Sequence, residues 1–157
     1  MNEHEAQTLT DIDRFGWTVW RVSNDKGPDF AYSVGMFRSL DHPEILIFGM
    51  PLDTMHQLIN DIGARVRQGA RYSAGEVSSL FLDGYDVMFR AIPKFQYGGH
   101  LGWAKWLYGG EDFPALQMIY PDREGRWPWD SSVDHSFRDN QPVLADISTP
   151  PWSHPAT

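Results

Sequence analysis

Asp41-His42-Pro43-Glu44-Ile45-Leu46-Ile47-Phe48 places an unbroken apolar run directly behind a turn-forming triplet. A run that does not alternate with polar residues suits a strand covered on both faces, so Glu44 to Phe48 is read as the central strand of a sheet. Just downstream, Met55, Leu58, Ile59, Ile62 and Val66 recur at the spacing of one helix face, with Asp53 able to cap the first turn and Gly69 able to end the last. Upstream, Trp17 to Val22 and Phe30 to Met36 are rich in β-branched and aromatic residues. They flank Asn24-Asp25-Lys26-Gly27-Pro28, which is turn chemistry, and the combination predicts a hairpin. Before it, Leu9, Ile12 and Phe15 at three-residue spacing predict a short helix over residues 3–15, stopped at Gly16.

Toward the C-terminus, Ser78 to Leu82 and Tyr85 to Ile92 are separated by Asp83-Gly84, a strong hairpin signal, and Pro93 ends the second strand. Residues 99–108 read as a second helix. Leu101, Trp103, Ala104, Trp106, Leu107 and Tyr108 leave it almost no polar face, so it must be buried or bind something. Ala115 to Tyr120 reads as a last core strand, and from Pro121 to Leu144 turn-forming residues and tryptophans predict an irregular segment. Strand runs joined by short turns, with few helices between them, favour an α+β class over a doubly wound one. The expectation is a single domain over residues 1–147, a mostly antiparallel sheet packed against two or three helices. Residues 148–157, with Pro150-Pro151 and Pro155, are expected to form a mobile tail.

The chain has 157 residues, enough to bury roughly 68 to 70% of its unfolded surface without staples. With no cysteine, disulfide scaffolds, thiolate metal sites and catalytic thiols are excluded, and the redox compartment is left open. Lys and Arg number 13 against 21 Asp and Glu, a formal net charge of -8, which opposes nucleic acid as a partner because phosphate recognition needs a basic face. No apolar run approaches the roughly 18 to 20 residues of a membrane span, and Met1-Asn2-Glu3-His4-Glu5 is unlike a signal sequence. No membrane partner and a cytoplasmic location are therefore expected.

Motifs for chemistry are sparse. The six histidines show no paired zinc-site spacing. His135 and Asp139, with Asp122, Asp130 or Asp134, are the nearest approach to a divalent-ion site, and no metal is expected, since an acidic loop beside a lone histidine is common on surfaces. Gly98-Gly99-His100-Leu101-Gly102 fits no phosphate-loop pattern and is expected to be a helix-entry loop. Ser33 lacks the strand-to-helix context of a nucleophile elbow.

The most unusual stretch is Tyr120-Pro121-Asp122-Arg123-Glu124-Gly125-Arg126-Trp127-Pro128-Trp129-Asp130. Asp122 to Gly125 can make a tight turn, after which Pro128 extends the chain so that Trp127 and Trp129 project the same way. Two indoles with Arg126 and Asp122 then form a stacking wall with charged specificity groups, or else a clamp that fills the core beneath a long loop. In His135-Ser136-Phe137-Arg138-Asp139-Asn140-Gln141-Pro142, His135 can act as a general base oriented by Asp139 or Asp122, with Arg138 stabilising negative charge. The alternative is that these groups satisfy the backbone of the loop, a task to which Gln141-Pro142 is suited.

Four ordered blocks carry a family resemblance: Ala31-Tyr32-Ser33-Val34-Gly35-Met36; His42-Pro43-Glu44-Ile45-Leu46-Ile47-Phe48-Gly49-Met50; Ala115-Leu116-Gln117-Met118-Ile119-Tyr120-Pro121-Asp122 with Gly125-Arg126-Trp127-Pro128-Trp129; and Gln141-Pro142-Val143-Leu144. From about Gly16 to Leu144 the chain resembles the bacterial domain-of-unknown-function family 4262, with Ser33 and Met36 where Thr and Leu are expected. The first two blocks are also similar to suppressor-of-fused-like domains, some of which serve as toxin-immunity or interaction modules. The family resemblance implies no activity and no catalytic residue.

The residues therefore favour a binding module for a small ligand or a protein partner, with Tyr32, Arg126, Trp127, Trp129, His135 and Arg138 as the expected ligand-binding set. The alternative is a small hydrolase or transferase using His135 with Asp139 and Asp122. No cofactor is expected: aromatic walls suit flavin or haem, but nothing identifies a phosphate or axial-ligand site.

Overall fold

The computed structural model describes residues 1–145, and the expected tail over 148–157 lies outside the described residues. The apolar run at Glu44–Phe48 forms β3, and all five of its residues are buried, as a strand covered on both faces requires. On one side it pairs antiparallel with β2 (Phe30–Val34), which continues the hairpin to β1 (Thr18–Val22). On the other side it pairs in parallel with β6 (Ala115–Ile119), also fully buried. β6 in turn pairs antiparallel with β5 (Tyr85–Ala91), and β5 with β4 (Val77–Leu82) across the Asp83-Gly84 turn, where Gly84 has φ 82°. The order β1-β2-β3-β6-β5-β4 is a six-stranded mixed sheet in which only the central pair is parallel. The chain is a single α+β domain, with helices packed against both faces of that sheet.

Strand alternation divides the core. Ala31, Ile45, Ile47, Val87, Phe89, Leu116 and Met118 face α3 (Leu52–Arg67), which buries Met55, Ile59, Ile62 and Val66 against them. Phe30, Tyr32, Val34, Leu46 and Phe48 face the other way, under α4 (Tyr97–His100) and α5 (Gly102–Tyr108). Among the described residues no helix is long and apolar enough to cross a membrane.

Several expectations are corrected. In α1 (Glu3–Phe15) the face turned inward is Thr8 and Ile12, an i, i+4 pair, while Phe15 is 53% exposed. Asn2 caps this helix in a full capping box with Glu5, and Gly16 ends it at φ 96°. Met36 opens a five-residue helix, α2 (Met36–Leu40), instead of extending β2. Asp53 is not the cap of α3: Pro51 holds that position, and Asp53 pairs with Arg21 at 3.1 Å. The helix expected over 99–108 breaks at Leu101, and Gly98 to His100 belong to α4 instead of to an entry loop. Finally, the segment after Pro121 contains a helix, α6 (His135–Asn140), capped by the Asp134 carboxylate accepting from the Ser136 N–H at 2.8 Å.

Two buried polar groups hold the sheet to its connections. His42, 0% exposed, donates from Nδ1 to the Pro43 carbonyl at 2.9 Å and accepts the Tyr72 N–H on Nε2 at 3.0 Å. That arrangement requires the neutral ring, and burial together with the nearby Arg71 pushes its pKa below 6.5. A folded pKa below the unfolded one means that the unfolded chain binds more protons. The stabilisation is therefore complete above about pH 6.5 and is lost as pH falls toward the folded value, by at most about 1.4 kcal/mol per pH unit. Urea denaturation from pH 8 to 5.5 is expected to show the stability gap between wild type and His42→Asn narrowing below pH 6.5. A constant gap would mean that His42 is not held neutral.

Candidate functional site

The second group is Glu44, and sequence reasoning missed it. Although it opens the central strand it is 0% exposed, and five donors converge on its carboxylate. The Ser33 hydroxyl donates at 2.6 Å, and the N–H groups of Gly35, Met36 and Phe37 at 3.0 to 3.2 Å. The Tyr108 hydroxyl is the fifth. Gly35 makes this possible: at φ 115° it turns the chain so that three successive N–H groups form an anion-binding nest. Burial pushes the Glu44 carboxyl above its usual range while these donors pull it back, and burial beside Glu44 pushes the Tyr108 phenol well above its own. The group is enclosed, so its task is to tie β3, the β2–α2 turn and the end of α5 together. The signal available in the sequence was a charged residue at the head of a buried strand.

The loop between β6 and α6 is built from local bonds. Asp122 accepts the N–H groups of Glu124 and Arg126 at 3.0 and 2.8 Å and pairs with the Arg126 guanidinium at 2.9 Å. Burial pushes its carboxyl up, but these donors outweigh that and hold it below the usual range. Gly125, at φ 82°, closes the turn. Trp127 and Trp129 then stack, with ring centroids 5.5 Å apart and planes 10° from parallel, and both are half-buried on either side of a buried Pro128. Arg138 on α6 donates from Nε to the Pro128 carbonyl at 3.1 Å and from Nη2 to that of Asp130 at 3.0 Å.

Two glutamines fasten the far side. Gln141, 1% exposed, bonds both the N–H and the carbonyl of Tyr120 through its amide, at 2.9 Å each. Gln117, 0% exposed, donates to the Pro142 carbonyl at 2.8 Å and accepts the Leu144 N–H at 2.9 Å. Each amide stands in for a missing strand partner, so residues 141–144 lie along β6 without forming a strand. Between this segment and the tryptophan loop is a cleft of about 460 Å³ lined by Trp129, Pro128, Pro142 and Val143, with Arg138, Ser131 and Gln141 as polar groups. A second cleft, of about 590 Å³, opens on the other side of the turn, at the C-terminal ends of the parallel strands, between Met50, Phe137 and Arg126.

The expected site residues thus divide. Trp127, Trp129 and Arg138 come together, and Arg126 faces the second cleft. Tyr32 is not with them: it is 2% exposed beneath α5, where its hydroxyl accepts the backbone N–H of Trp103 at 3.0 Å and burial raises its pKa to about 12. His135 and Asp139 are exposed on α6, and among the described residues neither hydrogen bond nor ion pair joins His135 to Asp139 or Asp122. Nor do three His, Asp or Glu side chains among the described residues gather as metal ligands.

Fold and site define an α+β domain with a mixed sheet and a clasped aromatic loop at the end of its central strands. The family described as Domain of unknown function (DUF4262) matches residues 11–134 of the 157, and the chain belongs to that family. The match ends at Asp134, so α6 and the Gln141-Pro142-Val143-Leu144 block lie beyond it. No curated protein and no solved structure matches the chain, and nothing supports the similarity to suppressor-of-fused-like domains.

Proposed function

We propose that the protein is a binding module, and that the tryptophan loop with its 460 Å³ cleft receives a small ligand bearing an aromatic or flat apolar group. One observation carries the reading: Trp127 and Trp129 are stacked in parallel yet only half-buried, on a loop whose shape is already held by Arg138 and Gln141. A clamp that merely filled the core would bury both rings, whereas a preorganised indole wall beside an open cleft offers stacking area at little ordering cost. The exposed His135, without an orienting acid, gives the hydrolase or transferase reading no comparable support.

The test is a screen of small aromatic fragments against ¹⁵N-labelled protein. The indole N–H signals of Trp127 and Trp129 are expected to shift. Trp127→Ala, which removes the buttress behind Trp129, is expected to weaken a detected fragment by about 1 to 3 kcal/mol with little change in melting temperature. Fragments that shift only residues remote from this loop would overturn the reading.

A further inference from the structure

The polar lining of the cleft narrows the ligand class, an inference that rests on the reading above. Among the described residues lining it, Arg138 is the charged one and none is a carboxylate. The neighbouring acids do not compete for it: Asp130 accepts the N–H and hydroxyl of Ser132, Asp134 accepts those of Ser136, and Asp139, next to Arg138 in the chain, is exposed and forms no ion pair with it. The Arg138 guanidinium is held by its two bonds to the loop carbonyls, while its Nη1 has no hydrogen-bond partner among the described residues. A guanidinium fixed at one edge, with N–H groups to spare, is prepared for a planar anionic acceptor. Trp129, Pro142 and Val143 supply apolar surface, and the Gln141 amide beside them is engaged by both backbone groups of Tyr120.

We propose that this cleft binds a small aromatic monocarboxylate, its ring against the Trp129 indole and its carboxylate on Arg138. A single negative charge fits better than two. One guanidinium supplies one counter-charge, and in a chain of net charge -8 a dianion would meet further repulsion with no second cation among the described residues lining the cleft. The volume of about 460 Å³ lies in the range of small-molecule sites, which favours a free acid over an extended chain segment.

Phenylacetate, phenylacetamide and phenethylamine share a ring and differ in charge, so titrating each into ¹⁵N-labelled protein separates stacking from charge recognition. Phenylacetate is expected to bind about tenfold more tightly than phenylacetamide, as a charge-assisted hydrogen bond allows. Arg138→Lys, which keeps the charge but loses the fork, is expected to remove most of that advantage. Because Arg138 also holds the loop, phenylacetamide is titrated into the same variant, and equal weakening of acid and amide would overturn the carboxylate assignment. Equal affinity for acid and amide would overturn the carboxylate assignment and leave the aromatic cleft standing. Tightest binding of phenethylamine would overturn it in favour of the acidic surroundings. If none of the three shifts the Trp129 indole signal, this inference and the reading beneath it both fail.

Discussion

Glu44→Ala is expected to be the most destabilising single change in the chain, costing about 3 to 5 kcal/mol, enough to remove a large share of the stability of a domain this size. The cost has two parts. The Ser33 hydroxyl, three N–H groups of the β2–α2 turn and the Tyr108 hydroxyl all lose their acceptor at once, and a buried donor left unsatisfied costs about 1 to 3 kcal/mol. The space vacated by the side chain adds a cavity between α2 and α5. Glu44→Gln separates these parts, because it keeps the volume and one carbonyl oxygen but turns an NH2 group toward donors. It is expected to fall between wild type and alanine. Urea denaturation reads all three proteins, and a loss below about 1 kcal/mol for alanine would show that the nest is satisfied without its carboxylate.

What was legible in the sequence follows from what is periodic. β3 declared itself through an unbroken apolar run and α3 through its spacing, because both elements answer to burial, which writes itself into residue order. The two hairpins were legible from Asn24 to Pro28 and from Asp83-Gly84, since turn chemistry is local. α2 and α6 were not. Each is shorter than two full turns and is held by capping or distant contacts, among them Glu44 for α2 and Asp134 and the Arg138 bonds for α6, which leave no periodic trace. The site divides along the same line. Trp127 and Trp129 could be paired because only Pro128 separates them, whereas Tyr32 was grouped with them although it is buried beneath α5, 95 or more residues away in sequence, where its hydroxyl meets the backbone N–H of Trp103. The clasp formed by Gln117 and Gln141 was legible only in half: Gln141 was suited to bonding backbone, but its partner Tyr120 lies 21 residues away, a separation that no local pattern encodes.

The second large effect concerns the opposite side of the sheet. Ile59 lies in the middle of α3 with no exposed surface, between Met55 and Ile62, and packs into the cluster that includes Ile45 and Ile47 of β3. Ile59→Ala is expected to cost about 2 to 5 kcal/mol, the lost transfer free energy plus the cavity that this covered face cannot close. The upper half of that range is the better expectation here. Relaxation would require α3 to move toward the sheet, and Gly63 already sits so close to the Trp17 ring that an added Cβ would approach it to 2.4 Å. Gln57→Ala, two residues earlier on the exposed face, is expected to change stability by less than about 0.5 kcal/mol and serves as the control for helix propensity. Urea midpoints at constant m-value measure both. An Ile59→Ala loss as small as that of Gln57→Ala would mean that α3 does not cover the sheet, and with it the alternation that assigns one face to α3 and the other to α4 and α5 would have to be abandoned.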